Sequence, residues 1–180
     1  MRVNTFMKYR LTNETRRFHG RTLYRIQALQ DFLDVKAGDF GGFVQKDNNL
    51  AQAGNCWIYG QAMVYDHAWI HGNAKVCRFA KVFGQAEINH EALVTDYAQV
   101  FDQAYVFHQA LVSGNAKVYD QAKVSDNAQM KDYAEIYDRA WLYDQGALGG
   151  REKAGGCERI ISHSYAKKKM QWQLSIWTNI

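Results

Sequence analysis

Along most of this chain, apolar and polar positions recur in blocks of six. Alanine stands at every sixth residue from Ala62 to Ala140, fourteen times without a gap. Two places after each alanine the residue is aliphatic or Met; Val64, Ile70 and Val76 open that row, and Met130, Ile136 and Leu142 close it. In extended chain, residues two apart point to the same face, so the alanine and the aliphatic residue face inward and their neighbours outward. The two residues ahead of each alanine read as a corner. They supply Gly54, Gly60, Gly72, Gly84 and Gly114, or Asp66, Asp96, Asp102, Asp120, Asp126, Asp132, Asp138 and Asp144. Glycine accepts positive φ there, and aspartate bonds to neighbouring backbone. Six residues cannot bury a core alone. The pattern therefore predicts an all-β parallel solenoid whose core forms only as repeats stack.

The flanks depart from the period and divide the chain into residues 1–53, 54–149 and 150–180. Lys8 to Leu11 and Thr22 to Leu29 read as two strands around a polar turn at His19-Gly20, a hairpin cap over one open end of the solenoid. Val35 to Leu50 reads as an irregular first coil, and Met7 as an internal start with residues 1–6 upstream. A Gly-rich joint, Gly149-Gly150 to Gly155-Gly156, leads into a basic tail or second cap. Met170 to Ile180 fits a helix and a strand equally well.

Two sets of residues carry a family resemblance. The spacing in Val118…Ala122 and Val124…Ala128, with an aliphatic residue four places before a small one, resembles hexapeptide-repeat proteins. The segment Gly38-Asp-Phe-Gly-Gly-Phe-Val44…Asn49-Leu-Ala-Gln-Ala-Gly-Asn-Cys-Trp-Ile58 resembles bacterial and phage members of that group labelled transferases or acyltransferases. The resemblance spans about residues 7–149. It implies a single-stranded left-handed parallel β-helix, although general chain topology favours the opposite hand. It also implies three hexads to a triangular coil. The sixteen hexads from Gly54 to Gly149 then make about five to six coils, on the order of 25 Å at about 4.8 Å per strand.

Charge adds one restriction. Residues 54–149 carry 7 Lys/Arg against 11 Asp/Glu, whereas residues 1–53 carry 9 against 5 and residues 150–180 carry 6 against 2. The formal net charge of +4 thus belongs to the two ends, and no basic stripe marks the body for nucleic acid. The basic-aromatic stretch Lys167-Lys-Lys169 with Trp172 and Trp177 could touch nucleic acid or an anionic surface, and is read in preference as a terminal segment folding back on the solenoid. No apolar run is long enough to cross a bilayer, and no signal-peptide stretch opens the chain. Cys56, Cys77 and Cys157 lack CxxC spacing, which fits reduced thiols and a cytoplasmic setting.

Outward residues 18 apart stack in columns. Tyr65, Phe83, Phe101, Tyr119 and Tyr137 form one all-aromatic column, an apolar strip suited to a contact surface. Laddering of like rings for its own sake is the plainer account. Trp57 and Met63 head two other outward columns. His90 and His108 share one corner in successive coils, with His67 and His71 on an earlier coil. A histidine there could serve as the general base of an acyltransferase, as the resemblance implies; exposed corner histidines are the plainer reading. No spacing matches a zinc motif, and no metal is expected. The hexads run unbroken, with no protruding loop to build an acceptor site. These residues favour a non-catalytic, self-associating scaffold without cofactor, binding a protein partner. The resemblance to phage members extends this to a host partner, and to a homotrimer as the assembly. The alternative is an acyltransferase using acetyl-CoA or a similar acyl-CoA at a subunit cleft.

Overall fold

A hydrogen bond closes each corner of the regular hexads from Ala62 on. The N–H of Ala62 donates to the Tyr59 carbonyl at 3.3 Å, and six residues on Ala68 repeats the bond to Tyr65. The computed structural model describes residues 7–161. In it the residue heading each corner is left-handed, with φ of 60° at Asp66, 54° at His90, 56° at His108 and 70° at Gly84. Between corners run two-residue strands such as Met63–Val64, Trp69–Ile70 and Lys75–Val76. Each pairs in parallel with its equivalent 18 residues away, as Val64 does with Val82 and Val82 with Val100. The result is an all-β solenoid of about seven coils with three sheets, and no α-helix among the described residues.

The N-terminal hairpin joins the first sheet. Strand β1 (Tyr9–Phe18) runs antiparallel to β2 (Arg21–Ala28), turning at His19-Gly20 with φ of 45° and 77°. Strand β2 pairs antiparallel with β3 (Phe40–Val44), and β3 lies parallel to Met63–Val64. Gly41 and Gly42 are required by that approach. A Cβ on Gly41 would come within 2.7 Å of the Ile58 carbonyl oxygen, and one on Gly42 within 2.6 Å of that of Ala62. Lys8 is buried beside the first coil, donating from Nζ to the carbonyls of Gly54 at 3.2 Å and Cys56 at 2.9 Å. Burial pushes the Lys8 ammonium below its ordinary range, against the pull of the Cys56 sulfur. Trp57 keeps the outward position its column gives it, yet it is buried under Tyr9 and Phe32, whose rings meet it edge-on.

The irregular first coil read from the sequence is present, and the coil count exceeds the sequence reading at the C-terminal end. The first coil is made by β3, by Leu50 bridged to Ile70, and by Trp57–Ile58. The Gly-rich stretch after Gly149 is no joint. Lys153–Ala154 pairs with Glu135–Ile136, and Arg159–Ile160 with Trp141–Leu142. The alanine column had hidden this continuation, because its positions there hold Gly146, Glu152 and Glu158. The corner glycines, Gly150 at φ 61° and Gly156 at φ 66°, keep the turn regular without it. The readings for Met170–Ile180 and the Lys167–Trp177 stretch lie outside the described residues.

The lumen holds little besides the two inward rows, with Ala104 1% exposed and Val100 and Val106 fully buried. Burying one such valine contributes about 1.5–3 kcal/mol. Ala104→Leu should destabilise the protein by about 1–3 kcal/mol, because packed strands leave no room for three further carbons. Leu at the outward position Gln99, beside Val100, should change little. Urea midpoints of the two variants check this.

Candidate functional site

The stacking offset turns the aromatic column into a ladder. Tyr65 and Phe83 lie 5.0 Å apart at 3° between ring planes, Phe83 and Phe101 4.9 Å at 3°, and Phe101 and Tyr119 5.0 Å at 2°. Tyr119 and Tyr137 continue it at 5.4 Å and 13°. Both ends of the ladder are covered. At one end Phe18 of the hairpin packs on Tyr65 at 5.7 Å, and the Arg21 guanidinium sits 5.3 Å from the Tyr65 ring centre. Burial there pushes the Tyr65 phenol up to about 12, so it stays neutral. At the other end the column's next position is Gly155, where any Cβ would lie 2.4 Å from the Tyr137 ring. The rings stack on one another, so their faces are spent and mainly their edges meet solvent.

The corner histidines come together as their spacing predicts. The His90 and His108 rings lie 4.8 Å apart, nearly edge to face. His108 donates from Nδ1 to Asp126 Oδ1 at 2.7 Å, and His90 Nδ1 bonds to the Asn89 side-chain oxygen. A shallow recess of about 410 Å³ opens here, lined among others by Asn73, Glu91, Gln109 and Asn127. Burial tends to raise the Asp126 carboxyl, but the Asp144 N–H, the His108 ring and the Ser125 hydroxyl outweigh it and hold it below the usual range. A carboxylate that orients a histidine through Nδ1 leaves Nε2 available as a base. His67 and His71 stand apart from that pair. His67 lies 3.4 Å from the Lys46 ammonium, while His71 bonds Glu87 Oε1 at 2.8 Å.

The columns alone did not disclose the chain of polar contacts between these groups. Asn89, only 4% exposed, donates to Glu87 Oε1 at 3.1 Å and to the Tyr105 hydroxyl at 2.6 Å. Ser125 donates to Asp126 at 3.0 Å and accepts from Trp141 Nε1 at 2.9 Å. Contacts between Glu87 and His71 or Trp141 and Ser125 span 16 residues, a diagonal that column reading passes over. Asp126, by contrast, stands 18 residues after His108 and was there to be found. Among the described residues, no group of three or more His, Cys, Asp or Glu is arranged to hold a metal ion. Cys56, Cys77 and Cys157 are free thiols, and burial pushes that of Cys77 up to about 11. No helix of the described residues is long and apolar enough to cross a membrane.

The six-residue period stacked into three parallel sheets makes this a β-solenoid, a fold that fits hexapeptide-repeat proteins. A stretch of 62 residues is 45% identical to a protein of Escherichia coli (strain K12) named uncharacterized acetyltransferase YdcK. That match covers 30% of this chain and 19% of the relative, so the chain spans about a fifth of that protein's length. No family model matches the sequence.

Asp126→Asn should weaken the corner, since the carboxylate accepts bonds from Asp144, His108 and Ser125. A carboxyl held low in the folded state stabilises above the ordinary Asp range near about 3.9 and loses that effect as pH falls through its lowered value. The variant should therefore melt a few degrees below the parent at pH 7, with the gap closing toward acid pH. Melting curves across that pH range provide the check.

Proposed function

We propose that this chain is a non-catalytic binding and scaffold protein that assembles with copies of itself through the face bearing the ring ladder. The ladder carries this reading. Consecutive coils contribute equivalent atoms along one line, which suits an extended contact, whereas a reaction centre needs unlike groups converging on a point. Charge on the same face supports a second copy as the occupant. Lys81, Lys117 and Lys153 run along one flank of the rings, the last two ion-paired to Glu135 of the same row at 3.7 and 2.8 Å, and Asp66, Asp102, Asp120 and Asp138 run along the other, with Asp66 held by Arg21 at 2.6 Å. Copies related by an axis parallel to the solenoid would set Lys81 and its row against Asp102, Asp120 and Asp138 of the next. Such heterologous contacts close into a ring, and the hexapeptide resemblance favours a trimer. A further partner, a host protein in the case of a phage protein, would then meet the assembled body.

Light scattering at micromolar concentration should give a mass of about three chains; a mass of one chain refutes the reading. Phe101→Ser should lower the assembled fraction. If that variant keeps its melting temperature, its mass and every measurable interaction, the ladder serves only itself.

A second reading is favoured by a different observation, the His108–Asp126 pair at 2.7 Å, together with the local match to a protein named as an acetyltransferase. In an acyltransferase, His108 Nε2 would take the proton of an acceptor hydroxyl or amine as that atom attacks the acyl carbon of an acyl-CoA; the thioester C–S bond would then break, and the proton would pass from the imidazolium to the departing CoA thiolate. Acetyl-CoA should then raise the melting temperature in proportion to the logarithm of its concentration. Absence of any shift removes this reading and leaves the scaffold reading intact.

A further inference from the structure

The first coil is longer than the others, and a recess sits where the extra length falls. Inward residues Val64 and Ile70 are six apart, whereas Leu50 and Ile58 are eight apart. The additional residues form part of the wall of a hollow of about 600 Å³ bounded by Asp47, Asn48, Leu50, Gln52, His67 and Trp69. Trp69 is 44% exposed although its surroundings hold it firmly. Its ring stacks on His71 at 3.9 Å and 17°, and His71 is tied to Glu87 at 2.8 Å, which is in turn bonded by the buried Asn89. The bridge from Leu50 to Ile70 sets Asn49 in register with Trp69 on the preceding coil. Asn49 turns its amide away into the backbone, to the Ala68 carbonyl at 2.8 Å. No aromatic ladder partner therefore covers Trp69 from that side.

The rim supplies the complementary chemistry. Among the described residues the Asp47 and Asn48 side chains are exposed and make no hydrogen bond. Gln52 is already used, accepting from the Lys8 N–H at 2.8 Å, and acts as a fixed wall. An immobilised indole beside a free carboxylate and a free carboxamide matches a ligand with one apolar face and a ring of hydroxyls. We infer that this recess binds a neutral hexopyranose unit, with C–H bonds of the sugar against Trp69 and its hydroxyls donating to Asp47 and Asn48. A nucleotide fits less well, because its phosphates would face the Asp47 carboxylate. The site shares no residue with the ring ladder or with the His90–His108 corner.

Saturation-transfer NMR on the full chain tests this with the methyl glycosides of glucose, galactose, mannose and N-acetylglucosamine, and with adenosine as the base-bearing probe. At least one glycoside at about 10 mM should receive saturation at its ring protons, as expected for a single-platform site in the millimolar range. Trp69→Ala should abolish that transfer, and Asp47→Ala should weaken the same glycoside by at least about tenfold. Trp141→Ala, in the same outward column four coils further along the body, should leave it unchanged. Transfer to none of the glycosides, transfer that survives Trp69→Ala, or stronger transfer to adenosine would each overturn the inference. Melting curves establish that each variant is folded, and Asp47→Ala, at an exposed position, decides the matter if Trp69→Ala does not fold.

Discussion

A left-handed residue at each corner is the constraint on which the rest of this structure depends. It turns the chain through the angle that separates the three sheets, and its repetition every six residues keeps all coils in one register. Placing a residue with a Cβ in that conformation costs roughly 1–2 kcal/mol, and many of the corners are aspartate. The structure shows what offsets the cost. Asp96, Asp132 and Asp138 each accept a bond from the N–H of the corner one coil on, Gly114 at 3.0 Å, Gly150 at 2.9 Å and Gly156 at 2.8 Å. Aspartate is thus a lateral link between corners as well as a turn former. A line of carboxylates needs no bound cation to account for it.

Because every coil repeats the last, the surface inherits the same order. Equivalent positions meet at fixed intervals, and where one column holds only rings they stack within 5.4 Å from Tyr65 to Tyr137. The same rule gathers His90, His108 and Asp126 on one edge. A periodic body is good at making lines and poor at making points. Features that resemble sites arise where the repetition is broken: at the corner where histidines replace the usual Gly or Asp, and in the longer first coil beside Trp69.

The family-like segment from Gly38 to Ile58 gains a physical meaning from this. Gly41 and Gly42 are small because β3 passes against the next coil, and Asn49 is buried because its amide satisfies backbone that a regular hexad would pair otherwise. The same segment, with the hairpin ahead of it, covers residues that the column reading left outward. Trp57, Met63 and Tyr65 are buried for that reason.

The sequence by itself determined the sheet class, the inward rows, the corners and the outward columns. All of these follow from contacts between equivalent residues 18 apart, and a period specifies such contacts completely. It stopped short at Gly149, because the alanine signal lapses there while the geometry continues through corner glycines. Only the tertiary structure decided how unlike columns meet. Side-chain reach set the diagonal bonds from His71 to Glu87 and from Trp141 to Ser125. The extra residues between Leu50 and Ile58 opened the hollow beside Trp69, and an irregular stretch takes its shape from what it packs against, which no period encodes.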